Sequence, residues 1–198
     1  MRLKLSYSLI GIWQRGDMNA VIEALNGVWQ PPNEAMMYGT KKHKEWEDEV
    51  NRTKCMPKIF GGQKLINPKT EQYYKVQLSD WLWLSGVIDL EHGEKGENLV
   101  DYKTGHGSAS AYSNSLQAGC YKILRPQARR FTFKHYNQYE DKTSSSIIHL
   151  TDKLLAESMD KVFSAGCDIR AALENLGYDD FDNVDKSSRK KENNNDEQ

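Results

Sequence analysis

Asp89, Asp101 and Lys103 are the residues whose types and spacing best suit chemistry. They lie in Leu82–Gly105, LWLSGVIDLEHGEKGENLVDYKTG, where Gly86–Leu90 is apolar apart from Asp89 and Leu99–Tyr102 is apolar apart from Asp101. Between these runs, His92–Asn98 holds two glycines and three charges, which predicts two strands joined by one of the longer hairpin loops. A turn symmetric about Lys95 sets Asp89 directly opposite Asp101, and strand alternation brings Lys103 onto the same face. Like charges opposed on a mostly buried face are destabilising, and a buried carboxylate without a partner is worse. Such a face persists where something cationic sits between the acids. Lys103 supplies one positive charge, and the oxygen donors suit a hard divalent ion such as Mg2+ or Mn2+. The competing reading is a pair of exposed strand aspartates on a solvent face.

A third polar side chain comes from the helix expected over Glu34 to about Lys54, which Asn33 can cap. Met36, Gly39, His43, Trp46 and Val50 recur at spacings of three and four and define its inward stripe, while Lys41, Lys42, Lys44, Glu45, Asp48 and Glu49 take the outer face. His43 therefore points toward the core, either as a packed histidine or as a ligand. Gly39, one turn earlier, permits close approach of backbone or ligand.

Other elements frame these. Leu3–Leu9 reads as a short strand or extended opening, with Ser8 capping a turn through Trp13. Asp17 caps Met18–Leu25, and Gly27 follows as its C-terminal glycine. Glu71–Ser79 has strand composition and leads into the central hairpin. A helix is expected from Ala109 to Leu124, with Gln117 and Tyr121 as neighbours one turn apart on its flank. Arg129–Gln138 and Ser145–Leu150 read as paired strands, and Thr151 caps a long helix from Asp152 to Leu176. The expected domain covers residues 1–182. A disordered tail is expected over 183–198, because Lys186–Gln198 lacks any apolar residue. No internal repeat is evident.

The totals bound the class. The 198 residues are 38% hydrophobic and 28% charged, enough for one domain with a core. A net charge of −1 gives no global electrostatic case for nucleic acid, so any such case rests on local patches. No apolar run approaches a membrane span and no secretory apolar region follows Met1, so no membrane partner is expected. Cys55, Cys120 and Cys167 are too few and scattered for a disulfide framework, which points to a reducing, cytoplasmic setting.

Read in order, Gly86-Val87-Ile88-Asp89, Asp101-Tyr102-Lys103-Thr104-Gly105 and Gln117-x-x-x-Tyr121 resemble the motifs of the PD-(D/E)XK nuclease superfamily in its RecB-like branch. Gly39-x-x-x-His43 is similar to the helix motif of that branch, and Leu5-Ser6-Tyr7-Ser8 to its opening. The resemblance implies an α/β fold with a restriction-endonuclease-like core, a central mixed sheet flanked by helices. It implies metal at Asp89, Asp101 and the Tyr102 carbonyl, with His43 as a further ligand. Lys103 would orient or deprotonate the attacking water, and Gln117 and Tyr121 would hold the nucleic-acid backbone or brace the site. The three cysteines do not match the set of the iron–sulfur members of the branch, so no cluster is expected. No phosphate-binding loop of a motor is present.

The implied activity is divalent-metal-dependent DNA hydrolysis, by an exonuclease or end-processing enzyme of recombination, repair or phage-type DNA metabolism. Partners would be DNA and either further copies of the chain or a recombination protein. Candidate backbone contacts are Lys41, Lys42 and Lys44, with Lys122, Arg125, Arg129 and Arg130 near Gln117. The alternatives are a non-catalytic nucleic-acid-binding or assembly module, or a small restriction-type endonuclease.

Overall fold

The computed structural model describes residues 1–186. The chain runs β1 (Leu3–Ser6), α1 (Tyr7–Gln14), α2 (Met18–Leu25), α3 (Glu34–Thr53), β2 (Lys69–Gln77), β3 (Leu82–His92), β4 (Asn98–Thr104), α4 (Gln117–Leu124), β5 (Arg130–Asn137), β6 (Lys142–His149) and α5 (Asp152–Asn175). The strands form one six-stranded mixed sheet, flanked by helices as the motifs imply.

The sheet is organised around β3. β2 pairs with it antiparallel from Gln77↔Trp83 to Lys69↔Glu91. A strand has only two edges, so its other partners must share the second one. β1 takes the first part, parallel, at Leu82–Ser85, and β4 takes the last part, antiparallel, at Leu90–His92. Gly86–Asp89 are left without a strand on that edge. β4 then pairs parallel with β5, and β5 forms an antiparallel hairpin with β6.

Alternation along the strands separates two apolar clusters. Leu99 packs into the larger one with α1, α2, α4 and α5, whereas Val100 and Tyr102 join Trp46 and Val50 of α3 in the smaller. On α3 the inward stripe holds at Trp46 and Val50, but Met36, in the first turn, is 57% exposed.

Three local readings are corrected. Ser6, not Ser8, caps α1: pairing with Ser85 keeps Ser6 extended, and its hydroxyl accepts from Leu9 N–H at 3.3 Å. The helix expected over Ala109–Leu124 is broken into a 3-10 turn at Ala109–Tyr112 and α4. Between them, Ser115 Oγ accepts from Gln117 N–H and Ser113 Oγ bonds to Ser146 Oγ, local polar bonds that compete with helix. Residues 183 and 184 are not tail. Asn183 accepts from Lys4 N–H at 2.6 Å and donates to Lys4 O at 3.0 Å, and Val184 is buried, so this segment covers the outer edge of β1. The tail expected beyond Lys186 lies outside the described residues. Among the described residues, no helix is long and apolar enough to cross a membrane.

Candidate active site

The break in β3's second edge is where the chemistry gathers. Leu90↔Val100 is the last pair of the β3–β4 ladder, so the register places Asp89 opposite Asp101, one step past where the strands part. The β2–β3 ladder also skips at this point, with Thr70↔Leu90 and Gln72↔Ile88 paired on either side. The skipped residue, Glu71, has φ of +50°, a strained value for a non-glycine residue within a strand. β3 bends here: Ile88 packs in the larger cluster and Leu90, two residues on, in the smaller. Freed from the ladder, the Asp89 carboxylate accepts the Tyr102 N–H at 2.8 Å.

Asp101 sits deeper, 3% exposed, facing α4. Its Oδ1 accepts from Gln117 Nε2, and the Lys103 ammonium lies 2.6 Å from its Oδ2. Gln117 Nε2 also reaches Tyr121 Oη at 3.2 Å, and that hydroxyl donates to Val87 O at 2.6 Å, satisfying a carbonyl within the unpaired stretch of β3. Gln117 and Tyr121 are both buried and direct their polar atoms to the strands that carry the acids. This bracing needs α4 close to β3, which Gly86 permits: a Cβ there would stand 3.0 Å from Leu124 Cδ1 and 3.2 Å from Tyr121 Cε1.

From the other face, α3 presents His43, whose Nδ1 lies 3.5 Å from Asp89 Oδ2. Gly39, one turn earlier, seats α3 on the residue after Lys103. A Cβ there would stand 2.9 Å from Thr104 Oγ1.

The electrostatics follow from this geometry. Burial, then the Asp101 charge, raises the Asp89 pKa well above the carboxylate range, against the Tyr102 N–H and Lys103. Burial alone would lower Lys103, but the attraction and hydrogen bond of Asp101 and the charge of Asp89 outweigh it, and its pKa is raised. Burial lowers His43, so the imidazole is neutral at pH 7 and keeps a lone pair to offer. Two carboxylates against one ammonium leave an excess of negative charge in a pocket that penalises it. That imbalance, with a neutral imidazole and the unpartnered Gln117 Oε1, fits a hard divalent cation in charge and donor type. Among the described residues, no three His, Cys, Asp or Glu side chains are already drawn together around one point. Asp101 is turned to Gln117 and Lys103, while His43 and Asp89 approach each other.

Several expected nucleic-acid contacts are engaged elsewhere. Arg125 is 2.5 Å from the buried Glu91, and Lys122 Nζ donates to Pro126 O and Ala128 O. Lys42 pairs with Glu45, and Lys44 with Glu47 and Asp48. Lys41, Arg129 and Arg130 remain exposed.

One residue near the site was missed by the motif reading. Glu71 is close enough to raise the Asp89 pKa. A β2–β3 turn symmetric about Asp80 would have placed it opposite Asp89, as Lys95 places Asp101.

No protein-family model matches this chain, and no curated protein matches its sequence. Solved structures do. The alkaline exonuclease of Laribacter hongkongensis superposes with a TM-score of 0.58 at 15% identity, over 88% of this chain and 92% of the other. Its complex with dAMP gives 0.55 at 16% identity over the same shares. A phage-related exonuclease from Haemophilus somnus 129PT gives 0.57 at 12% identity, over 89% of this chain and 97% of the other. At these identities the likeness is one of fold: the chain shares the mixed-sheet architecture of these exonucleases, nearly end to end.

Proposed function

We propose that this chain is a divalent-metal-dependent deoxyribonuclease that hydrolyses phosphodiester bonds. It would act as an exonuclease or end-processing enzyme in recombination, repair or phage-type DNA metabolism. The observation that carries the reading is the pair Asp89 and Asp101, set where both ladders of β3 fail, with a single ammonium between too many negative charges. A binding module has no use for such a costly pair. The shared fold supports the same reading, as does the dAMP bound in one of the structural neighbours.

Asp89, Asp101, the Tyr102 carbonyl and His43 are the groups that would hold Mg2+ or Mn2+. When bound, the ion would lower the pKa of water and offset charge growing on the phosphate. Lys103, held protonated by Asp101, acts by orienting the attacking water and stabilising negative charge, not as a free base. Gln117 fixes the Asp101 carboxylate, and Tyr121 fixes the unpaired strand beneath it. His43 stays neutral and so remains available as a ligand at pH 7.

Purified protein incubated with linear and closed circular DNA, in Mg2+, Mn2+ or chelator, tests this. Metal-dependent loss of linear but not closed circular DNA is the expected result. Discrete fragments would indicate a restriction-type endonuclease. No cleavage under any metal would indicate a binding module and refute the proposal.

A further inference from the structure

The face of the sheet away from Asp101 carries its own cluster of cations. On β5, Phe131 and Phe133 fill the larger core, so alternation sends Arg130, Thr132 and Lys134 to the α3 side. There they line a cleft of about 200 Å3 with His92 at the end of β3, Asn98 at the start of β4, and Gln63. A guanidinium, an ammonium, an imidazole and three neutral side chains able to donate hydrogen bonds converge, and no carboxylate lines the space.

The balance differs at the larger cleft beside Pro126. That one, of about 450 Å3, sets Glu94 and Glu97 among Lys95, Lys122 and Arg129, so two carboxylates offset most of its positive charge. In the smaller cleft, neither Lys134 nor the Arg130 guanidinium has an ion pair or side-chain hydrogen bond among the described residues. Burial lowers the Lys134 pKa, and no acid offsets it. Burial also lowers His92; Glu97 pulls the other way, but its carboxylate lies outside the lining and accepts from Lys95 N–H. A half-buried ammonium without a counter-charge is a standing cost that an anion would remove.

We propose that this cleft binds a phosphate group, with Lys134 and Arg130 as its cationic partners and Thr132, Gln63 and Asn98 as neutral donors. The phosphate is one of a DNA backbone. Lys134 stands opposite Tyr102 in the β4–β5 register, so the cleft begins one strand away from the candidate ligand carbonyl. The choice of DNA as the source rests on the proposed function; the anion site itself does not.

The test uses the full chain in chelator, so that it reads binding and not hydrolysis. Inorganic phosphate, compared with chloride at equal ionic strength, is titrated against backbone amide signals of the wild type. Shifts at Asn98, Thr132 and Lys134, absent in Lys134→Gln, are expected. Binding of an uncleaved oligonucleotide by anisotropy should weaken in Lys134→Gln, uniformly across sequences. The slope of log affinity against log salt should shrink by about 0.7 for a single strand or about 0.9 for a duplex, for each phosphate that the variant leaves unneutralised. Phosphate shifts with unchanged oligonucleotide binding would uphold the anion site and overturn DNA as its source. No specific shift in the wild type, which needs no variant to fold, would overturn the site. A chain with this site but no nuclease activity would fail only the cleavage assay.

Discussion

Arg125→Ala should destabilise the fold through a partner buried beside it. Glu91 is 2% exposed, and its carboxylate is held by Arg125 at 2.5 Å and by the Tyr74 hydroxyl at 2.7 Å. Arg125 also lies 4.7 Å from the centre of the Tyr74 ring. Removing the guanidinium strands a buried carboxylate, and breaking such a pair costs about 3–5 kcal/mol. Arg125 is itself 20% exposed and Tyr74 still donates, so the lower end, about 3 kcal/mol, is expected. For a chain of this length that corresponds to a drop of about 6–12 °C in Tm. Urea and thermal unfolding of Arg125→Ala, Glu91→Gln and the double variant form a cycle. The double variant should recover more than half of the loss, because a neutral amide no longer needs the cation. A loss below about 1 kcal/mol in Arg125→Ala, with weakened DNA binding instead, would place Arg125 at the substrate and refute the argument.

His43→Ala should raise the Mg2+ or Mn2+ concentration needed for cleavage while leaving the metal-free Tm nearly unchanged; a lower Tm with an unchanged metal titration would mark His43 as packing. Lys103→Ala should abolish turnover, and activity within about tenfold of wild type, about 1.4 kcal/mol of barrier, would remove Lys103 from the mechanism. His135 is fully buried, neither ring nitrogen has a partner among the described residues, and burial lowers its pKa. A depressed folded pKa means that this part of the stability is present above the unfolded value of about 6.5 and is lost as pH falls below it. His135→Leu should be at least as stable as wild type at neutral pH, and its urea midpoint should fall less on acidification; an unchanged slope would contradict this.

The facing of Asp89 and Asp101 was legible because the β3–β4 hairpin is symmetric about a single turn residue. Lys95 sets the Asp89–Asp101 register that β3 and β4 follow, and caps such as Asp17, Asn33 and Thr151 mark helix starts by their own hydrogen bonds. The parting of the strands was not legible. It arises because β1 and β4 compete for one edge of β3, a contact between residues far apart in sequence. The same holds for Arg125 and Lys122. A basic residue in a last helical turn reads as solvated, and only the fold brings Glu91 to one and the Pro126 and Ala128 carbonyls to the other. Ser113–Ser115 gave a weak signal, since a polar run within an apolar stripe suits either an exposed turn or a break.

The claim that Asp89 and Asp101 share a divalent ion is tested most directly by the metal-induced change in Tm of wild type and Asp89→Asn. Asp89 is the informative position, because Lys103 compensates Asp101 whereas the charge on Asp89 is disfavoured by burial and by Asp101. An asparagine keeps an oxygen for the Tyr102 N–H but removes the charge, so in chelator at neutral pH the variant should be at least as stable as wild type. At a hundredfold excess over Kd, Mn2+ should stabilise wild type by about 2.7 kcal/mol. That corresponds to about 5–11 °C in Tm. Asp89→Asn should lose most of that shift. No shift in wild type, or an equal shift in both proteins, would contradict the shared ion.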